Sequence, residues 1–351
     1  MEKILAHFRE QAAFCDAYGS PFTGALIRAM ADDVEAGGPT AGVIGAWPTN
    51  PRADALALRL AGALHYAALS GRDPALAAHY PATRAAWRME DVWPHARAFL
   101  QRERPWTEDF IKSPPQTNET RRSIALLLGF LTIAHEWRGP IETLELGASA
   151  GLNLNWDRFA YATESWRWNP QGRVRIDTEW RGPPPPLDAA PQIRSRGACD
   201  QNPLTLADPA ERLRLKSYIW ADQADRLARF DAAADLAVAH GVRVDRADAA
   251  MWVKEKLARR ARDAATIIYH SIFLQYPPRE ARDAISAAIA GAGAAATAAA
   301  PLYWLRLEPE AVLGGDRESV RMLVDLIAWP GGERRILAET DGHVRFVAAF
   351  G

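Results

Sequence analysis

The sequence predicts an α/β protein: an all-helical N-terminal domain over residues 1–115, then a domain over residues 116–351 built on a mostly parallel sheet that closes on an antiparallel hairpin. Three observations predict it. Up to about position 112 the apolar residues recur at helical spacing, with no convincing strand among them. Beyond it, the short apolar runs "IETLELGA", "ATIIYHSIFLQ" and "LYWLRLEP" suit strands buried on both faces, and helical segments separate them. Finally, "RRILAETDGHVRFVAAF" reads as two strands around Asp341-Gly342, a hairpin turn signal.

The elements follow in order. Breaks at "GSPF", "AGGPT", "WPTNPR", "SGRDP" and "HYPAT" divide the N-terminal part into helices. The clearest is "NPRADALALRLAGALHYAALSG", with Pro51 in the first turn, where its missing N–H costs nothing, and Gly71 just past the end. "IKSPPQTNETRRSIALLLGFLTIAHEWRGP" marks the boundary: a Pro-Pro loop, a cap at Thr117 or Asn118, and an apolar helix ending near Gly139. In "RGPPPPLDAAP" four consecutive prolines remove donors and fix φ, so it belongs to an extended insertion around residues 170–195. The Ala-rich "AISAAIAGAGAAATAAAP" is a helix tail and loop.

Composition narrows the function. A chain of 351 residues, 48% hydrophobic, is long enough for a large core and for more than one domain. A formal net charge of -1 gives no global attraction for nucleic acid or an acidic membrane, so a small-molecule substrate is the expected partner. No apolar run reaches the roughly 18 residues of a membrane span, and two cysteines cannot build a disulfide framework. The expected location is the cytoplasm. No Cys/His spacing suggests zinc and no G-x-x-x-x-G-K-[ST] loop is present.

The chemistry concentrates where strands end. In Gly147-Ala148-Ser149-Ala150-Gly151 the glycines allow positive φ and let a ligand approach the backbone, and the helix beyond presents free N–H donors. The dinucleotide fingerprint needs a middle glycine; here that position is Ser149, which disfavours a nicotinamide-dependent oxidoreductase. Glu145 before the turn suits a cationic ligand part better than a phosphate. A strand followed by E-x-G-x-x-x-G and a helix resembles the first motif of S-adenosylmethionine-dependent methyltransferases, against the plainer alternative of a tight strand–helix turn. That comparison requires a carboxylate after the second strand for two ribose hydroxyls. Asp200 in "GACDQNP" has the form of the second motif, but lies about 50 residues beyond Gly147 where about 20 are expected. Asp177 in "RVRIDTEW" competes for the role, and the choice stays open at this level.

A third turn follows the short strand Val242–Val244. There Asp248 and Ala249 resemble the pair that meets adenine, Asp248 being equally suited to cap the helix that follows. The run "TIIYHSIFLQY" delivers His270 and Ser271 to the end of a buried strand, where open α/β sheets bind ligands. His270 is the candidate general base. Ser271, Gln275 and Tyr276 are candidates to position the acceptor, Tyr276 standing with His270 among the catalytic candidates. In "SPPQTNETRR" the polar residues Gln116, Thr117, Asn118 and Glu119 either fold across the cofactor, Asn118 foremost, or simply start a helix.

Taken together, "SPPQTNE", "LELGASAGLNLNWDRF", "GACDQNPL", "RADA", "IIYHSIFLQY" and "LAETDGHVRFV" resemble a bacterial family classed as a domain of unknown function, over nearly the whole chain. The resemblance implies a helical N-terminal part followed by a Rossmann-like, methyltransferase-type domain, and no established substrate. The expectation is a methyltransferase that uses S-adenosylmethionine on a small molecule. The alternatives are a protein that kept the fold without turnover, and an NAD-dependent oxidoreductase.

Overall fold

The computed structural model describes residues 1–116 and 118–351, so the expected cap at Thr117 lies outside the described residues. Along the chain, helices α1 (Glu2–Ala17), α2 (Pro21–Glu35), α3 (Pro39–Ile44), α4 (Leu56–Leu69), α5 (Pro74–Ala77), α6 (Met89–Arg102) and α7 (Arg104–Phe110) come first. Then α8 (Arg122–Glu136) leads into strand β1 (Pro140–Leu146) and a 3-10 helix, Leu152–Arg158. Strands β2 (Ala160–Ala162), β3 (Arg167–Trp168), β4 (Arg175–Asp177), β5 (Glu179–Arg181) and β6 (Gln192–Asp200) follow. Helices α9 (Pro209–Ser217), α10 (Ala224–Ala239), α11 (Ala249–Ala258) and α12 (Arg279–Ala294) alternate with β7 (Asp245–Arg246), β8 (Ala265–Ser271) and β9 (Leu302–Pro309). The chain ends on β10 (Met322–Trp329), β11 (Glu333–Thr340) and β12 (Phe346–Ala349).

The chain divides into two compact units, and neither is one continuous segment. The first combines Met1–Thr117 with Ala207–Asp231; the second combines Asn118–Leu206 with Ala232–Gly351. The boundary expected at residue 115 therefore accounts for only one of the crossings. Residues 207–231 go with the helices because their polar and apolar groups are used there. His65 on α4 bonds the Ser217 carbonyl at 3.1 Å, Asp222 accepts from the Ser20 hydroxyl and the Phe22 N–H, and Tyr218 and Trp220 join the helical core. Helix α4 starts later than its Pro51 suggests. Ala55 sits in the left-handed region at φ 52, so Pro51 belongs to the preceding turns, while Gly71 lies just past the helix end as read.

The second unit is an α/β layer structure. Its nine-stranded sheet has the order β5-β12-β11-β10-β9-β8-β1-β6-β7, mostly parallel, and β9 to β12 form an antiparallel meander. β10 has no counterpart in the expected strands, so the expected closing hairpin, β11–β12, is the last part of a longer meander. Side chains alternate between faces along each strand. Leu144, Leu146, Ile268, Leu302 and Trp304 pack with Trp252, Val253, Ile285 and Ile289 of α11 and α12. On the opposite face Tyr269 meets Phe130 of α8 edge-on at 5.0 Å.

Between β1 and β6 the chain makes an excursion. The 3-10 helix replaces the α-helix expected after the glycine turn, and Asn155 breaks it with φ -100, ψ 27. The small sheet β3-β2-β4 follows, and β5 pairs in parallel with β12 before the proline run, so the insertion carries strands of its own.

Candidate functional site

The parallel strands deliver their carboxyl ends to one edge of the second unit, and most of the expected residues, though not Asp177, follow those ends. Beyond β1 the chain turns through Gly147 at φ 67, Ser149 at φ 55 and Gly151 at φ 74. A serine held in the left-handed region is uncommon and disfavoured without compensation. Two contacts explain the flanking glycines. A Cβ at Gly147 would overlap the Phe273 ring, and one at Gly151 would come within 2.7 Å of Val242 Cγ1.

Asp200, at the end of the strand beside β1, holds this turn. One oxygen accepts from the Ser149 N–H at 2.9 Å and the other from the Asn202 N–H at 2.8 Å. Its own carbonyl accepts from the Ala247 N–H at 3.0 Å, joining the turn before α11 to the same edge. Asp177 is elsewhere: it ends β4 in the small sheet, 78% exposed, with Arg121 3.5 Å away. Asp248 caps α11 by accepting from the Met251 N–H at 3.0 Å, and Ala249 is the buried first residue of that helix. Asn118 does not cap α8, whose N-cap is Arg121 with no side-chain cap bond. Its side-chain oxygen accepts instead from the Leu152 N–H at 2.8 Å, immediately after the glycine turn.

Glu145 points under the sheet rather than into solvent. It is 4% exposed and accepts from the Tyr269 hydroxyl at 3.0 Å. Burial, assisted by the charge of Asp200, raises its pKa to about 8 although the Tyr269 bond lowers it, so the carboxyl is largely protonated at neutral pH. The 3-10 helix beside it holds three polar atoms that are out of solvent and have no partner among the described residues: Asn153 Oδ1, Asn155 Nδ2 and Trp156 Nε1. Native interiors leave few such groups unsatisfied.

The end of β8 is built differently from its sequence reading. His270 is fully buried, its Nε2 accepting from the Trp304 indole N–H at 3.0 Å. Indole is only a donor, so the ring is neutral at Nε2 and carries its proton on Nδ1, which lies 2.6 Å from Glu308 Oε1. Both nitrogens are engaged and neither is open to an acceptor. Ser271 is half-buried; Gln275 and Tyr276 are exposed, Tyr276 by 75%. Between them Ile272 has φ 51, a left-handed conformation that is an outlier for a β-branched residue. Glu308, Trp304 and Phe273 went unread in the sequence. The available signal was "LYWLRLEP", a buried strand ending in an acid next to the strand ending in His270.

Among the described residues no group of three or more His, Cys, Asp or Glu is arranged to hold a metal ion, and no helix is long and apolar enough to cross a membrane. A family model described as an uncharacterized protein conserved in bacteria, DUF2332, matches residues 6–348, and the chain belongs to that family. No curated protein and no solved structure matches it.

Proposed function

We propose that this DUF2332 chain is an S-adenosylmethionine-dependent methyltransferase acting on a small molecule, with a Rossmann-like second unit. The observation that carries the reading is the junction of Asp200 with the Ser149 N–H: a left-handed small-residue turn after the central strand, tied to an acid at the end of the next strand. The strand order supports it. In chain order the parallel strands β7-β6-β1-β8-β9 run third, second, first, fourth, fifth, and such sheets bind ligands where the order reverses, here between β1 and β8.

The chain's own groups fit the adenosyl half of the ligand. Each oxygen of Asp200 spends one lone pair on a backbone N–H and keeps another, enough to receive two ribose hydroxyls. Asp248 is exposed at the start of α11, beside the N–H of Ala249, and would meet the adenine edge. When bound, the group supplies an electrophilic methyl on a sulfonium. The residues around it bind, align and exclude water; alignment is the main source of rate, because no nitrogen of His270 is open to take a proton. NAD is the weaker ligand, since Ser149 puts a side chain where a pyrophosphate needs a bare glycine. A second reading, binding without turnover, is favoured by the same closure of His270.

Titration with S-adenosylhomocysteine tests the assignment. Asp200→Ala should weaken binding at least about tenfold, roughly 1.4 kcal/mol, while Asp177→Ala leaves it unchanged. Equal affinities in Asp200→Ala and the parent would sink the reading.

A further inference from the structure

We propose that Glu308 is the positioning residue of this site: through the backbone N–H groups of Phe273 and Leu274 it holds the loop after β8 closed, with the Phe273 ring seated on Gly147 as the gate. The adenosyl reading enters only through the ligand used to probe it. One oxygen of Glu308 does all the holding. Oε1 accepts from the Phe273 N–H at 2.7 Å and the Leu274 N–H at 3.1 Å, and faces His270 Nδ1 at 2.6 Å. Trp304 fixes the ring from behind by donating to Nε2, so His270 presents its proton to Glu308 and to nothing else.

Two features mark the loop as a gate rather than an inert turn. The first is strain at its hinge: Ile272, with φ 51, is tied back to the Leu307 carbonyl at 2.7 Å, and the direction it imposes carries Phe273 onto the glycine turn. Strained backbone persists only where its surroundings over-determine it, which here is the grip of Glu308. The second is the uneven use of the carboxylate. Oε2 is buried and has no partner among the described residues, although Oε1 serves three donors. A fully buried acid with one idle oxygen is poorly suited to a fixed structure, and suits a loop with a second arrangement in which that oxygen is used. The Phe273 ring covers the residue that a ligand on the turn would approach first, so ligand entry requires the loop to open.

Hydrogen exchange and ligand kinetics on the full chain test this together. In the parent, the Phe273 and Leu274 amides should exchange through a local opening well below global unfolding. Glu308→Gln keeps the shape but weakens the acceptor, and should speed exchange at both amides at least about tenfold while leaving β10 and β11 unchanged. Exchange of the two amides only through global unfolding, or equal rates in Glu308→Gln, would overturn the proposal. Phe273→Ala removes the gate and keeps the clamp, so S-adenosylhomocysteine should associate at least about tenfold faster than with the parent; equal association rates overturn the gate. Should that ligand bind neither protein, the adenosyl reading fails and the gate falls with it, and the exchange rates decide the clamp by Glu308.

Discussion

The two halves of the nine-stranded sheet treat buried acids in opposite ways. In the antiparallel meander Asp325 is fully buried, and both its oxygens are occupied: Arg306 donates through Nε at 2.5 Å and a second nitrogen at 2.6 Å, and Arg334 donates at 2.5 Å. Where the parallel strands end, Glu308 at the end of β9, the strand shared with the meander, leaves one oxygen idle, and Glu145 on β1 has a single hydroxyl donor. Ser149 and Ile272 strain the backbone at the same edge. The meander occupies both oxygens of its buried acid; the carboxyl-end edge leaves its buried acids under-satisfied. Sequences that fold well concentrate such local violations at working sites.

Removing Asp325 should have the largest effect on the meander. Asp325→Ala leaves two guanidinium groups beside a buried hole, and should destabilise the second unit by about 4 kcal/mol, within the range for breaking a buried ion pair. A loss under about 1 kcal/mol in urea denaturation would show that the meander is not held as described.

Glu145→Gln should act in the other direction, and only as pH rises. The folded carboxyl titrates at about 8 against an ordinary 4.5, so between those values the folded state binds a proton that the unfolded chain has released. Stability contributed by this group therefore falls as pH climbs from 4.5 to 8, with a slope of at most about 1.4 kcal/mol for each step of one in pH. Glutamine still accepts from Tyr269 but cannot ionise, so the variant should flatten the slope and be the more stable protein at pH 8. Parallel stability profiles for the two proteins would contradict the burial argument.

Two smaller effects refine the edge itself. Asp248→Ala removes the cap of α11 and should cost about 1 kcal/mol, read from the thermal midpoint. Ser149→Gly relieves a left-handed residue and should stabilise by up to about 1 kcal/mol. A destabilised Ser149→Gly would mean that the serine side chain contributes more than its conformation costs.

The features carried by local sequence were legible. Strands β1, β8 and β9 announce themselves as short, largely apolar runs, and the strand–turn–strand pattern at Asp341 marks β11 and β12. Asp248 was readable as a cap because the cap is a local bond. What escaped depends on distant partners. Pro51 looked like a helix start until Ala55 turned left-handed, and Asn118 looked like a cap for α8 although its partner is Leu152, 34 residues away. His270 read as a free base because its two partners, Trp304 and Glu308, come from the next strand, 34 and 38 residues on. Residues 207–231 read as part of the second domain because chain order says nothing of which core receives their aromatics.

Whether the edge at Ser149 and Asp200 takes an adenosyl ligand is decided by calorimetric titration of the full chain with S-adenosylhomocysteine, with NAD as the control. The methyltransferase reading predicts saturable one-to-one binding of the adenosyl ligand and none of NAD. Absence of binding at millimolar S-adenosylhomocysteine, or tighter binding of NAD, would contradict it.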